Sequence, residues 1–230
     1  FVMSIEKTLY YLGLLLPNLL ISLKIMGFTF LFGIFFGAAL AAAKLSRHKI
    51  LRQLAYRYTS LMRGAPTIIL LFIVYYGLPA LLRAVAGMEL DAQNKLLYII
   101  VTLVLFSSSQ ISELIRAAYE AIPKGQMEAA LSIRETQLTA IRRIILPQAA
   151  LVILPNLADM IVSLMKEASL AFVIGMVDIL GRLNLLKLNA YGKNVVEMYI
   201  AGTLIFWCFS LLTQLACSLL ERRLSRHKQA

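Results

Sequence analysis

Five long apolar runs alternate along the chain with short stretches that hold most of the charge. The runs cover residues 22–43, 64–82, 96–112, 148–170 and 198–220, each close to the about 20 residues a helix needs to cross a bilayer. This pattern predicts an all-α integral membrane protein with five transmembrane helices in one domain, residues 18–220. Residues 1–17 have a mixed pattern, EKTLYYLGLLLP from Glu6, which predicts an amphipathic elbow helix ended by Pro17. They lack the basic start, apolar centre and small-residue cleavage site of a signal peptide. In the first run, Gly33 and Gly37 form a small-xxx-small pattern, followed by Ala38, Ala39 and 41–43. Such a stripe lets helix backbones approach closely, within the chain or across a dimer contact.

Charge orients the spans. Lys44, Arg47, Lys49, Arg52, Arg57 and Arg63 fall in one stretch without an acid, and the tail at 221–230 is also basic. By the positive-inside rule both are cytoplasmic, which puts the N-terminus outside and the C-terminus inside. Residues 84–95, with Glu89 and Asp91, form an external loop. Residues 172–180 make a shorter apolar segment, re-entrant or packed near the midplane. Residues 182–193 form a second outer loop despite three cations.

Composition narrows the class. The chain is 60% apolar and only 15% charged, far from soluble averages. Its net charge of +11 could suit nucleic acid, but the cations lie at the ends of apolar runs, so no nucleic-acid role is predicted. Cys208 and Cys217 sit nine residues apart on opposite faces of one apolar helix, which excludes a disulfide between them. The chain has no GxxxxGK[ST], HExxH or CxxC motif, and His48 and His227 lie in basic segments. No catalytic site, cofactor or metal is predicted on this chain.

The stretch at 113–147, ELIRAAYEAIPKGQMEAALSIRETQLTAIRRIILP, is a polar island of helix formers between apolar runs. Gly125, following Pro123, is expected to stop the incoming helix. Gln126 then restarts a short helix with Glu128 in its first turn, near the positive end of the dipole. Ala129 and Ala130 are small enough for a helix-in-groove contact. Pro147 suits the first turn of the next helix.

These residues carry a resemblance. Gly125-Gln126-Met127-Glu128-Ala129-Ala130, with I-x-L-P ending at Pro147, resembles the EAA loop of binding-protein-dependent type I ABC importer permeases, in particular the polar amino acid subfamily. Arg63-Gly-Ala-Pro66, Tyr75-Tyr-Gly-Leu-Pro79, Pro155 and Lys166-x-x-Ser169-Leu170 resemble it further. The run FVIGMVDILG at 172–181 looks closest to cystine-type permeases. The resemblance implies a permease of the bacterial plasma (inner) membrane that imports a polar L-amino acid, cystine or a related one. Residues 121–147 would then be a cytoplasmic coupling loop, with Gly125, Gln126, Glu128, Ala129, Ala130 and Arg134 docking on an ABC ATPase dimer that holds ATP and Mg²⁺. A second permease subunit, the same chain or a related one, and an external amino-acid-binding protein would complete the system. Four positions depart from the family pattern: Ala65, Leu70, Asp159 for the usual Asn, and Arg134 for the usual Gly. If that Gly serves a positive φ, the arginine costs roughly 1 kcal/mol or the turn is remodelled.

Ionisable groups at membrane depth are costly and call for a reason. Glu113 and Arg116 are three apart, and Asp159 and Lys166 seven apart, so each pair shares a helix face. With Ser169 they form a candidate substrate pathway, in which Asp159 meets the α-ammonium of an amino acid and Lys166 or Arg116 its carboxylate. The alternative is that the charges pair only to fix helix packing. A permease for another small solute, a passive channel and a membrane scaffold are the other functional classes considered.

Overall fold

The computed structural model describes the backbone of residues 4–91 and 93–226 and the side chains as far as residue 223; His227 and the end of the basic tail lie outside the described residues. All regular elements among these are helical. Five helices are long and apolar enough to cross a membrane. They are α2 (Leu19–Leu45) continuing from α1 (Ile5–Leu15), α4 (Thr67–Ala86), α5 (Lys95–Glu120), α8 (Leu146–Ala168) and α10 (Val195–Arg226). Between them lie α3 (Lys49–Gly64), α6 (Lys124–Ser132), α7 (Gln137–Ala140) and α9 (Ile179–Asn189). The polar island hangs from one end of the bundle, called the loop end below.

The helix starts follow from side-chain chemistry. Ser4 accepts from the Lys7 N–H at the head of α1, Asn94 from Leu97 at α5 and Asp178 from Gly181 at α9. The elbow helix α1 ends at Leu15, just before Pro17 as expected. Pro17 sits in a single 3₁₀ turn, Leu16–Asn18, that joins α1 to α2, because a proline at the start of a new helical stretch forfeits no needed N–H. The elbow packs against α10 and α9. There Lys7 Nζ donates to Asn194 Oδ1 at 3.0 Å, and Asn194 Nδ2 donates to Tyr11 Oη at 3.2 Å.

Two buried clusters hold the bundle. One joins Tyr11 and Leu15 of the elbow to Met165 of α8, Ile179 of α9 and Met198 of α10. The other joins Ile25, Leu71, Ile99 and Leu103 to Ala168 and Ala171. The tightest seam is α2 on α5. A Cβ added at Gly33 would lie 2.6 Å from Ser107 Oγ, and one at Gly37 2.7 Å from Ile111 Cβ. The small-residue stripe therefore serves packing within the chain. Ser108, Ser109 and Ser112 of α5 return their hydroxyls to the carbonyls of Leu105, Phe106 and Ser109 at 2.6–2.9 Å, so these three donors are satisfied in an apolar setting.

Three segments take a more definite form. The basic stretch at 44–63 connects the first two spans as expected and is mostly helical: from Lys49 on it forms α3, because Ala55, Thr59 and the half-buried Tyr58 and Met62 recur at helical spacing on its inner face. Most of 182–193 is likewise helical, as α9. The segment at 172–180 runs through a 3₁₀ turn and a left-handed Gly175 to the cap Asp178. It is tied by Asn18 Nδ2 to Val177 O at 2.7 Å and by Lys95 Nζ to Gly175 O at 3.0 Å. Asn18 and Lys95 stand at the starts of α2 and α5, so this segment packs at the end opposite the loop rather than at mid-bundle.

Candidate coupling loop and charged helix faces

The loop begins at Ala121, where the coupling loop was expected. Helix α5 runs on through Glu113 to Glu120 and breaks at Ile122, which the following Pro123 drives out of the helical region. Helix α6 starts at Lys124, two residues earlier than predicted. Gly125 is thus its second residue rather than a stop, and Glu128 lies in its second turn rather than its first. Gly125, Gln126, Glu128 and Ala129 are exposed together, while Ala130 is buried.

At the end of α6, Arg134 N–H donates to Leu131 O at 3.1 Å and Glu135 N–H to Ala130 O at 3.2 Å. This is a Schellman-type closure, which wants a left-handed residue at the position of Arg134. Arg134 adopts φ of 62°, so the position keeps the geometry of the family glycine and carries an arginine in it. Thr136 then caps α7. A π-turn, Ile141–Ile145, leads into α8, where the Leu146 N–H reaches back to Ile141 O. The wider turn accommodates Pro147, whose ring opposes an ordinary helical carbonyl four residues before it.

Sequence reasoning missed two side chains here. Ile133, the residue that ends α6, is 74% exposed, and Leu138 of α7 is 76% exposed. Apolar side chains left bare on an otherwise polar loop are the signal that could have found them.

The five candidate pathway residues separate into three places. Glu113 and Arg116 do pair, with Arg116 Nη2 and Nε donating to Glu113 Oε2 at 2.8 and 2.9 Å, and Arg116 goes on to Glu120. A third member was read from sequence only as a topology cation. Lys44, 2% exposed at the end of α2, donates to Glu113 Oε1 at 2.8 Å and Ser112 Oγ at 2.7 Å and lies over the Tyr56 ring. Glu113 also borders a recess of about 420 Å³ with Tyr56, Ser60 and Arg63. The network therefore fastens α2, α3 and α5 together just above the loop.

Asp159 and Lys166 stand exposed on one face of α8, and no ion pair joins them among the described residues. That face, with Val152, Pro155 and Asn156, has no helix of this chain against it. Ser169 is not on it. It is buried at the end opposite the loop, with its hydroxyl unpartnered, near Asp178. Burial pushes the Asp178 carboxyl up to about 6, against the pull of the Gly181 N–H and, more weakly, of Ser169.

Long apolar helices, a protruding helical loop and one open charged helix face define a multi-pass membrane protein. The chain belongs to the family described as binding-protein-dependent transport system inner membrane component, which it matches over residues 30–226. It is 34% identical to the L-cystine transport system permease protein TcyL of Bacillus subtilis (strain 168), over 90% of this chain and 86% of that one. It is 32% identical to the arginine transport system permease protein ArtQ of the same organism, over 96% and 97%. Among solved structures, an amino acid ABC transporter with histidines matches at a TM-score of 0.83 and 29% identity, covering 97% of this chain and all of the other. The inward-facing MetNI methionine ABC transporter shares the fold, at a TM-score of 0.68 over 96% of this chain and 99% of that one and 19% identity. The chain is thus a transport subunit of the bacterial inner membrane.

Proposed function

We propose that this permease imports a polar L-amino acid, driven by a separate ABC ATPase that grips the loop at 121–147 from the cytoplasm. The observation that carries the reading is the loop itself. The exposed Gly125, Gln126, Glu128 and Ala129 of α6 are followed in the same loop by bare Ile133 and Leu138, which together would offer a small-residue surface and two apolar anchors to a partner groove. ATP binding and hydrolysis on the partner would move α6 and α7, and through α5 and α8 the bundle would rock between inward-open and outward-open states.

The substrate assignment draws support from relatives named for L-cystine and arginine transport. The exposed α8 face supports it, since there Asp159 would meet an α-ammonium and Lys166 a carboxylate. Arg116 is withdrawn from that role by its two carboxylate partners. A second permease, the same chain or a related one, would close the pathway along this face. An external binding protein would deliver the substrate.

Thermal shift of the purified transporter and its binding protein with a panel of L-amino acids, cystine and arginine first, tests the substrate class. A rise of several degrees with one polar amino acid is expected, and a response only to sugars or peptides overturns it. Glu128→Arg tests the coupling: the ATPase should no longer co-purify, and its full retention removes α6 from docking. Asp159→Asn should raise the transport KM at least tenfold with normal assembly, and unchanged transport removes Asp159 from recognition.

A further inference from the structure

We propose that the chain binds an anionic phospholipid, with one acyl chain in a groove between α2 and α5 and its headgroup on α3. The groove has a volume of about 660 Å³ and is walled by Phe32, Phe36 and Ala39 of α2 and by Leu97, Val101 and Leu105 of α5, with Tyr58 of α3 at one end. From Leu97 to Ser108 it runs about 16 Å along α5, close to one leaflet of a hydrocarbon core ~30 Å thick. Its walls carry no charged side chain. Its two hydroxyl-bearing residues already have partners: Tyr58 Oη donates to Leu105 O at 2.9 Å, and Ser108 Oγ to the same carbonyl. A polar substrate finds nothing to bind there.

Helix α3 supplies the second half of the site. It crosses α5 rather than following it. Tyr58 meets Leu105 and Ser108, whereas Tyr56, Ser60 and Arg63 line the recess with Glu113, more than a turn nearer the loop end. The helix therefore lies across the bundle, with Ile50, Leu54 and Leu61 exposed along the edge that continues from Tyr58. Lys49, Arg52, Arg57 and Arg63 occupy the rest of its circumference, all exposed. None of these four has an acidic partner among the described residues, unlike Arg116. An amphipathic helix with one apolar edge and unneutralised cations is the form that rests at the headgroup level of an anionic leaflet. Charge complementarity therefore selects an anionic glycerophospholipid over a zwitterionic one, and over a second copy of this basic surface.

The test uses the purified transporter in vesicles doped with either phosphatidylglycerol or phosphatidylcholine, each carrying a photoreactive group in mid-chain. Peptides covering 32–40 and 97–108 should be labelled at least fivefold more by the phosphatidylglycerol probe. That ratio should fall toward one in 1 M salt and in the Arg52→Gln/Arg57→Gln double variant, whose exposed changes leave the fold intact. Ala39→Trp, which fills the groove, should lower labelling by both probes. Equal labelling by the two lipids means a non-selective boundary layer and overturns the proposal. Absent labelling together with an Ala39→Cys disulfide between two copies also overturns it, since a second subunit then covers the groove.

Discussion

The seam between α2 and α5 and the outward face of α8 hold the same kinds of charge under opposite regimes. In the seam, Lys44 is buried against Glu113 and Ser112, Glu113 is shared with Arg116, and every charge has a fixed partner. On α8, Asp159 and Lys166 stand exposed without an ion pair to each other. Partnered charge at a packed seam fixes geometry. Charge held bare on an apolar helix is costly in a membrane unless something else meets it. The contrast separates the part of the molecule that holds its shape from a face that no helix of this chain covers.

The strongest way to break the comparison is to open the seam. Gly37→Leu forces a side chain onto Ile111 and against the Ser108 carbonyl, 3.2 Å from the position of the new Cβ. Neither helix can retreat without losing the network below, so a loss of about 3 kcal/mol is expected, the upper end of overpacking costs. Size-exclusion profiles and thermal midpoints of the purified transporter would read it, and a midpoint equal to wild type would mean the seam is soft. Lys44→Met comes next, at about 2 kcal/mol, because it strips a charge-assisted hydrogen bond from Glu113 and the lysine donor from Ser112 Oγ, which still donates to Ser109 O. Lys166→Met on α8 should stay within about 0.5 kcal/mol and change transport instead. Equal thermal losses for the two lysine variants would erase the distinction drawn here.

Asp178 sharpens the picture at the opposite end, where a buried carboxyl is only half satisfied. Its Oδ1 accepts from Gly181 at 2.9 Å, while Oδ2 has no partner. Its pKa in the fold is about 6, above the unfolded value of 3.8, so the protonated form is the better fit. The fold accordingly gains stability as pH falls from about 6 toward 3.8 and loses that gain as pH rises through the same window. Asp178→Asn keeps the cap acceptor and removes the titration. Melting curves between pH 4 and 7 should lose this component in the variant, and an unchanged pH profile would assign it to another group.

Much of this was legible in the sequence, and the losses have physical causes. Span number followed from run length, because bilayer thickness leaves little freedom. The Gly33 and Gly37 stripe followed from the packing rule, and the Glu113–Arg116 pair from helical spacing. The pairing of Lys44 was missed because its partners sit about 70 positions away on another helix, and a cation beside an apolar run reads first as a topology signal. The helices within the connections at 44–63 and 182–193 were not read because charge density masked a helical period whose inner face is narrow. Ser169 and Asp178 could not be paired from sequence, since the turn that brings them together depends on how Gly175 bends.

The smallest effect tests the most local inference. Arg134 closes α6 at φ of 62°, in the region where a Cβ crowds the backbone, and its backbone N–H is used at 3.1 Å to Leu131 O. Arg134→Gly should therefore stabilise the loop by about 1 kcal/mol, by relieving that crowding. Part of the gain is offset because glycine also loosens the unfolded chain. Hydrogen exchange of the amides from Ala130 to Glu135 is the sensitive readout, with slower exchange expected in the variant and the global midpoint barely moved. If exchange quickens instead, the arginine side chain holds the turn through contacts worth more than the strain. Its place beside the exposed face of α6 would then point to a role in gripping a partner rather than a tolerated misfit.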